Sequence, residues 1–125
     1  MLRVKRVYDA KSASDGKRIY ADRLWPRGLS KKDAPFDEWF KELSPSDELR
    51  KWFHHEEDKF PEFKKRYLRE LSTPEKQDTL KRIAKMANQG DVTLVYSARD
   101  REQNNAVVLA ELISELTKEK MPAQR

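Results

Sequence analysis

The chain has 125 residues, 37% hydrophobic and 39% charged, with a net charge of +5 from 27 basic and 22 acidic side chains. That length suits one domain with one core, and three Trp, four Tyr and five Phe concentrate enough apolar area to exclude a disordered chain. Cysteine is absent, which excludes a disulfide framework, a thiolate nucleophile and any cysteine-ligated metal or iron–sulfur centre, and suits a reducing cytoplasm.

The opening residues Met1-Leu2-Arg3-Val4-Lys5-Arg6 place a charge at nearly every other position and lack the apolar stretch of a signal peptide. No apolar run approaches the roughly 18 residues that span a bilayer, so no membrane partner is expected and the expected location is the cytoplasm. The excess positive charge invites a nucleic-acid reading. Basic and acidic residues are interspersed, however, as in Lys31-Lys32-Asp33 and Glu56-Glu57-Asp58-Lys59, which is the pattern of solvated helix faces. Nucleic acid is therefore not the expected partner.

In chain order, residues 2–8 read as a strand, with Leu2 and Val4 alternating against Arg3 and Lys5. A polar loop follows, punctuated by the turn pair Asp15-Gly16. A second strand over 18–24 feeds the turn Trp25-Pro26-Arg27-Gly28, where Pro26 favours extended geometry at Trp25 and Gly28 admits backbone angles that other residues resist. Residues 30–88 read as helical. Phe36, Trp39, Phe40 and Leu43 form a first apolar stripe at helical spacing. Ser44, Pro45 and Asp47 supply cap, first-turn and dipole signals for a second helix that buries Leu49, Trp52 and Phe53. A third, over 58–71, turns Phe60, Phe63, Tyr67 and Leu71 inward. Thr73-Pro74 opens a fourth with Leu80, Ile83, Ala84 and Ala87 as its stripe, and Gly90 stops it.

The apolar, β-branched run Val92–Tyr96 predicts a strand covered on both faces. Asp100 with Gln103 resembles a capping box for a last helix over 101–118, and residues 121–125 read as a frayed tail beyond a single domain of residues 1–120. Strands interleaved with helices predict an α/β fold with a small, mainly parallel sheet of three clear strands, flanked by about five helices in a three-layer α/β/α-like arrangement. Ligands in such folds bind beyond the carboxyl ends of the strands. The turns Arg23–Gly28 and Ser97–Asp100 are both expected at that edge.

Those turns carry the main constellation. Arg23, Arg27 and Arg99 can fork to carboxylates or phosphates and stack on the Trp25 indole, and Asn104 and Asn105 open a helix whose free N–H groups favour an anion. The competing structural reading is that Asp22 and Asp100 pair with these arginines and brace the turns, with Trp25 in the core. His54-His55-Glu56-Glu57 does not have the three- or four-residue spacing of helical metal ligands, so no metal site is expected, although one histidine can serve the arginine pocket as acid or base. Tyr96-Ser97 ends the buried strand, but its neighbours are not those of a nucleophile elbow. The three glycines are unclustered, which removes Walker loops and dinucleotide fingerprints, and no cofactor is expected.

Over nearly its whole length the chain resembles the YeaO-like family of bacterial proteins of unknown function. The resemblance rests on Asp22-Arg23-Leu24-Trp25-Pro26-Arg27-Gly28-Leu29, on Leu49-Arg50-Lys51-Trp52-Phe53 with a nearby histidine, and on residues 63–71, 92–100 and 104–109. It implies an α/β fold and a bacterial cytoplasmic setting. The family pattern Trp-Phe-Gly-His carries over onto His55 and leaves His54 where glycine is usual. Glycine is also usual at Ser97, histidine at Gln103, and more distant relatives resemble one another in having cysteines near Tyr96, which this chain lacks. The expected function is binding of an anionic small molecule by Asp22, Arg23, Trp25, Arg27, Arg99, Asp100, Asn104 and Asn105, with His55 and Tyr96 as candidate proton-transfer groups. The alternative is a non-catalytic module whose basic surface meets nucleic acid or an acidic protein.

Overall fold

The computed structural model describes residues 1–54 and 56–120, excepting the side chains of 118–120; His55 and the tail 121–125 lie outside the described residues. Four strands, β1 (Leu2–Arg6), β2 (Lys17–Tyr20), β3 (Glu38–Trp39) and β4 (Val92–Tyr96), form one parallel sheet in the order β1-β4-β2-β3. The last strand in sequence is thus central in space. It pairs Leu2 with Val92 through Arg6 with Tyr96 on one side, and Lys17 with Val92 through Tyr20 with Val95 on the other. All five β4 residues are buried, as their apolar run predicts.

The helices are α1 (Asp47–Phe53), α2 (Phe60–Glu70), α3 (Pro74–Gln89) and α4 (Asn105–Lys120). Their buried residues, among them Phe53, Phe63, Tyr67, Ile83 and Leu109, join Ile19, Leu94 and Tyr96 in one core on one face of the sheet. Leu80, Ile83, Ala84 and Ala87 are all buried, so the predicted α3 stripe is the packed one. The opposite face is covered more thinly. Val7, Tyr20 and Val95 meet Leu29, Phe36 and Trp39, with a 3-10 turn at Lys31–Asp33 in place of an α-helix.

The stretch around residues 36–43 differs from the helix predicted for it. Pro35 follows Ala34, which stands at φ 42° in the left-handed region, and the chain then runs extended as β3. Asp37 N–H donates to the Arg18 carbonyl at 2.8 Å and Phe40 N–H to the Tyr20 carbonyl at 2.8 Å, so β3 adds a fourth rung to the sheet. Neighbours in an extended chain point to opposite faces. Trp39 accordingly packs on the thin face while Phe40, like Leu43 after it, packs in the main core. The helix-like spacing of these residues is a coincidence of two different environments.

Two helix starts also shift. α1 is capped by Ser46, whose hydroxyl accepts from Leu49 N–H at 3.1 Å, rather than by Ser44, which donates to the Lys41 carbonyl. α4 begins at Asn105 rather than 101: Asp100 accepts from Gln103 N–H at 3.0 Å but closes only a turn, and Asn104 caps the helix by accepting from Val107 N–H at 3.0 Å.

A buried ionic group pins the loop between β1 and β2. Asp15, 2% exposed, meets Arg18 Nη1 at 2.8 Å and Lys5 Nζ at 2.9 Å. Arg18, 4% exposed, also donates to the carbonyls of Pro35 and Val7. Burial by itself raises the Asp15 carboxyl, but the hydrogen bonds from Lys5 and Arg18 outweigh it and hold the group below the usual carboxylate range. Among the described residues, no helix is long and apolar enough to cross a membrane.

Candidate functional site

Because all four strands are parallel, their carboxyl ends share one edge, and the segments leaving β1, β2 and β4 converge there. They enclose, with the end of α1, a cleft of about 780 Å³. Both turns expected at this edge line it: Asp22, Arg23, Trp25 and Arg27 from the first, Ser97 and Arg99 from the second.

Asp22 ties the two turns together. Its Oδ2 accepts from Ser97 Oγ at 2.6 Å and Ser97 N–H at 3.1 Å, and its Oδ1 accepts from Asn105 Nδ2 at 2.9 Å. Its backbone carbonyl accepts from Trp39 Nε1 at 2.7 Å. One carboxylate therefore holds the end of β2 against the end of β4 and the first turn of α4. Tyr20 and Tyr67 lie beneath it, and burial together with the Asp22 charge pushes both phenols up. The Ser97 hydroxyl is committed to Asp22, which leaves it without the free approach of a nucleophile.

The arginines divide into two kinds. Arg23 Nε lies 3.4 Å from the Asp47 carboxylate, which Arg50 also contacts at 3.1 Å, and it donates to the Pro45 carbonyl. Arg27 and Arg99 have no ion-pair partner among the described residues. The bracing expected from Asp22 thus runs through Ser97 and Asn105, not through a guanidinium. Asp100 Oδ1 accepts from the N–H groups of Glu102 and Gln103 and shapes the turn into α4. Trp25 serves as both core and wall. Its ring packs on Phe36 at 5.1 Å and Trp39 at 5.9 Å, its Nε1 donates to the Leu29 carbonyl, and the half-buried remainder faces the cleft.

Asn105 lines the cleft through its contact with Asp22, whereas Asn104 is fully buried and bound to the Asp100 carbonyl and Val107 N–H, so it shapes the helix end rather than the cleft. Tyr96 is 2% exposed and is not among the lining residues; burial raises its phenol, against the lowering effect of Arg101 and Arg6. His55 lies outside the described residues. His54 lines the cleft at the end of α1 with φ 44° and ψ 34°, a left-handed conformation that glycine adopts more readily than histidine.

Sequence reasoning missed Arg6, Tyr8, Arg50 and Lys51, which also line the cleft. The available signal was the parallel sheet itself, since the residues leaving β1 must reach the same edge as those leaving β2 and β4. Arg6 donates to the carbonyls of Ala98 at 2.8 Å and Ser97 at 3.1 Å, and its guanidinium lies over the Tyr8 ring at 4.8 Å. Tyr8 Oη donates to the Arg27 carbonyl at 2.7 Å. Among the described residues, six Arg and Lys side chains thus line a cleft in which Asp22 is the one lining carboxylate. Among the described residues, no three His, Asp or Glu side chains are grouped to hold a metal ion.

A family model described as "Inactive DUF488-N3 subclade" matches residues 1–125. The chain belongs to that family. Uncharacterized protein YeaO of Escherichia coli (strain K12) is 48% identical over 115 residues, 92% of this chain and 98% of that protein. Uncharacterized protein Rv3073c of Mycobacterium tuberculosis (strain ATCC 25618 / H37Rv) is 38% identical over 113 residues, 90% of this chain and 93% of that protein. Uncharacterized protein Mb3100c of Mycobacterium bovis matches to the same extent. These relatives bear out the YeaO-like resemblance read from the Asp22–Leu29 motif. No solved structure matches.

Proposed function

We propose that this protein binds an anionic small molecule in the cleft at the carboxyl edge of the sheet, and that it does so as a binding protein of the bacterial cytoplasm rather than as a catalyst. The observation that carries the reading is the pair of guanidiniums, Arg27 and Arg99, that line the cleft without an ion-pair partner among the described residues. Both are exposed at the mouth of an open cleft, where guanidinium groups on one ligand-sized space repel one another and a bound anion relieves the repulsion. Elsewhere many basic side chains are compensated locally, as in Lys17–Glu38, Lys64–Glu111, Arg66–Glu62 and Arg101–Asp9. Uncompensated charge gathered in a cleft favours a small ligand over the broad basic face that a nucleic-acid module needs.

Three observations favour binding over catalysis: the description of the family as inactive, the burial of Tyr96, and the commitment of the Ser97 hydroxyl to Asp22. The test is a thermal-shift titration with inorganic phosphate at constant ionic strength. A ligand at a hundred times its dissociation constant stabilises a fold by about 2.7 kcal/mol. Phosphate is expected to raise the Tm of the wild type and of Arg66→Ala, whose guanidinium lies outside the cleft, and to leave Arg27→Ala/Arg99→Ala unmoved. Equal shifts in all three proteins would refute the site.

A further inference from the structure

We infer that the ligand of this cleft is a mononucleotide, with its phosphate on Arg27 and Arg99 and its base against the ring of Tyr8. This assignment rests on the anion-binding reading and adds to it the part of the ligand that is not charged. Three observations lead to it, and the first is size. A cleft of about 780 Å³ is in the range that holds a cofactor-sized or drug-sized molecule, and a lone phosphate leaves most of it empty.

The second is composition. Beside the arginines, the lining contains Tyr8, Leu24, Trp25, Phe53 and Phe63. Tyr8 is 39% and Leu24 60% exposed, a surface that an ion alone leaves wet and a flat ring covers.

The third observation fixes where the ring belongs. Tyr8 is braced between the two turns that carry the unpaired guanidiniums. Its hydroxyl donates to the carbonyl of Arg27 itself, and one of its faces carries the Arg6 guanidinium, which is anchored on the carbonyls of Ser97 and Ala98 just before Arg99. An aromatic plate is thus held in place, by backbone hydrogen bonds, next to both anion-binding side chains. A base stacked there and a phosphate between Arg27 and Arg99 belong to one compact ligand. Base–aromatic stacking tolerates every base, so the ring contact selects nucleotides as a class rather than one among them.

The experiment compares inorganic phosphate, ribose 5-phosphate, AMP and an unphosphorylated single-stranded oligonucleotide by isothermal titration calorimetry at constant ionic strength. AMP is expected to bind roughly tenfold or more tightly than ribose 5-phosphate, the size of one stacking contact. In Tyr8→Ala that advantage disappears while ribose 5-phosphate binding persists; in Tyr8→Phe, which keeps the ring and folds without the hydroxyl contact, the advantage remains. Equal affinity for AMP and ribose 5-phosphate overturns the nucleotide assignment and leaves the anion site standing. Failure of all phosphates to bind overturns both. An oligonucleotide that binds more tightly than AMP overturns the free mononucleotide in favour of a nucleic-acid strand.

Discussion

Asp15→Asn removes one negative charge from a place where two cations depend on it. Asp15 and Arg18 are 2% and 4% exposed, and Lys5 completes the group at 2.9 Å. The amide keeps the shape and accepts hydrogen bonds, but it leaves the Arg18 guanidinium buried beside a neutral partner. Breaking a buried pair in this way costs about 3–5 kcal/mol, a large share of the roughly 5–15 kcal/mol that holds a domain folded. For a chain of this length each kcal/mol moves Tm by about 3–4 °C, so the variant should melt about 10–20 °C below wild type. Urea unfolding followed by circular dichroism gives the free energy directly, and the slope should be unchanged because the surface exposed on unfolding is the same. Adding Arg18→Met removes the stranded cation and should recover about half the loss. The effect is also tied to pH. The folded Asp15 carboxyl is held below its ordinary value, so its contribution is complete above about pH 4 and is lost as pH falls through the folded value. The gap between wild type and Asp15→Asn should therefore narrow toward pH 3. A loss smaller than about 1 kcal/mol at pH 7 would refute the claim that this carboxylate compensates a buried charge.

His54→Gly should stabilise the protein by about 0.5–1 kcal/mol, because φ 44° places a Cβ against the backbone and glycine relieves it; a lower melting temperature would contradict this. Gly16→Ala should cost about 3 kcal/mol or more, since the added Cβ would stand 2.1 Å from the Asp91 carbonyl oxygen at φ +61°, and a soluble variant with wild-type Tm would show the loop free to move. Asn104→Ala should cost about 1–2 kcal/mol by stripping α4 of its cap, measurable as a shifted denaturant midpoint with an unchanged slope.

What was legible in the sequence was local. The β-branched run at Val92–Tyr96 and the stripe Leu80, Ile83, Ala84 and Ala87 each have one environment along their length, so their periods are clean. Residues 36–43 serve two environments, and the mixture imitates a helix. At residues 44–46 two serines flank a proline, and the choice of cap falls to Ser46 because Glu70, a residue 24 positions away, accepts from both its N–H and its hydroxyl. No local pattern contains that partner. In the cleft, the convergence of the two arginine turns followed from strand direction alone. The partners of Asp22 did not, since Ser97 and Asn105 lie 75 and 83 residues away. Tyr8 escaped notice for a related reason: a lone tyrosine after a strand acquires meaning only through its contact with Arg27.

The order β1-β4-β2-β3 also governs how this chain can fold as it is made. The first two strands never touch; the space between them is filled by a strand that begins at Val92. A ribosome releasing about 5–20 residues per second has therefore delivered most of the chain before the sheet can close, and until then β1 and β2 carry open edges able to pair with another nascent copy. Only β2 and β3 can join beforehand. The β1–β4 contacts span about 90 residues, which places this small domain among topologies that fold slowly for their size. Over-expression at high temperature should populate aggregates through those early edges rather than through any weakness of the finished molecule.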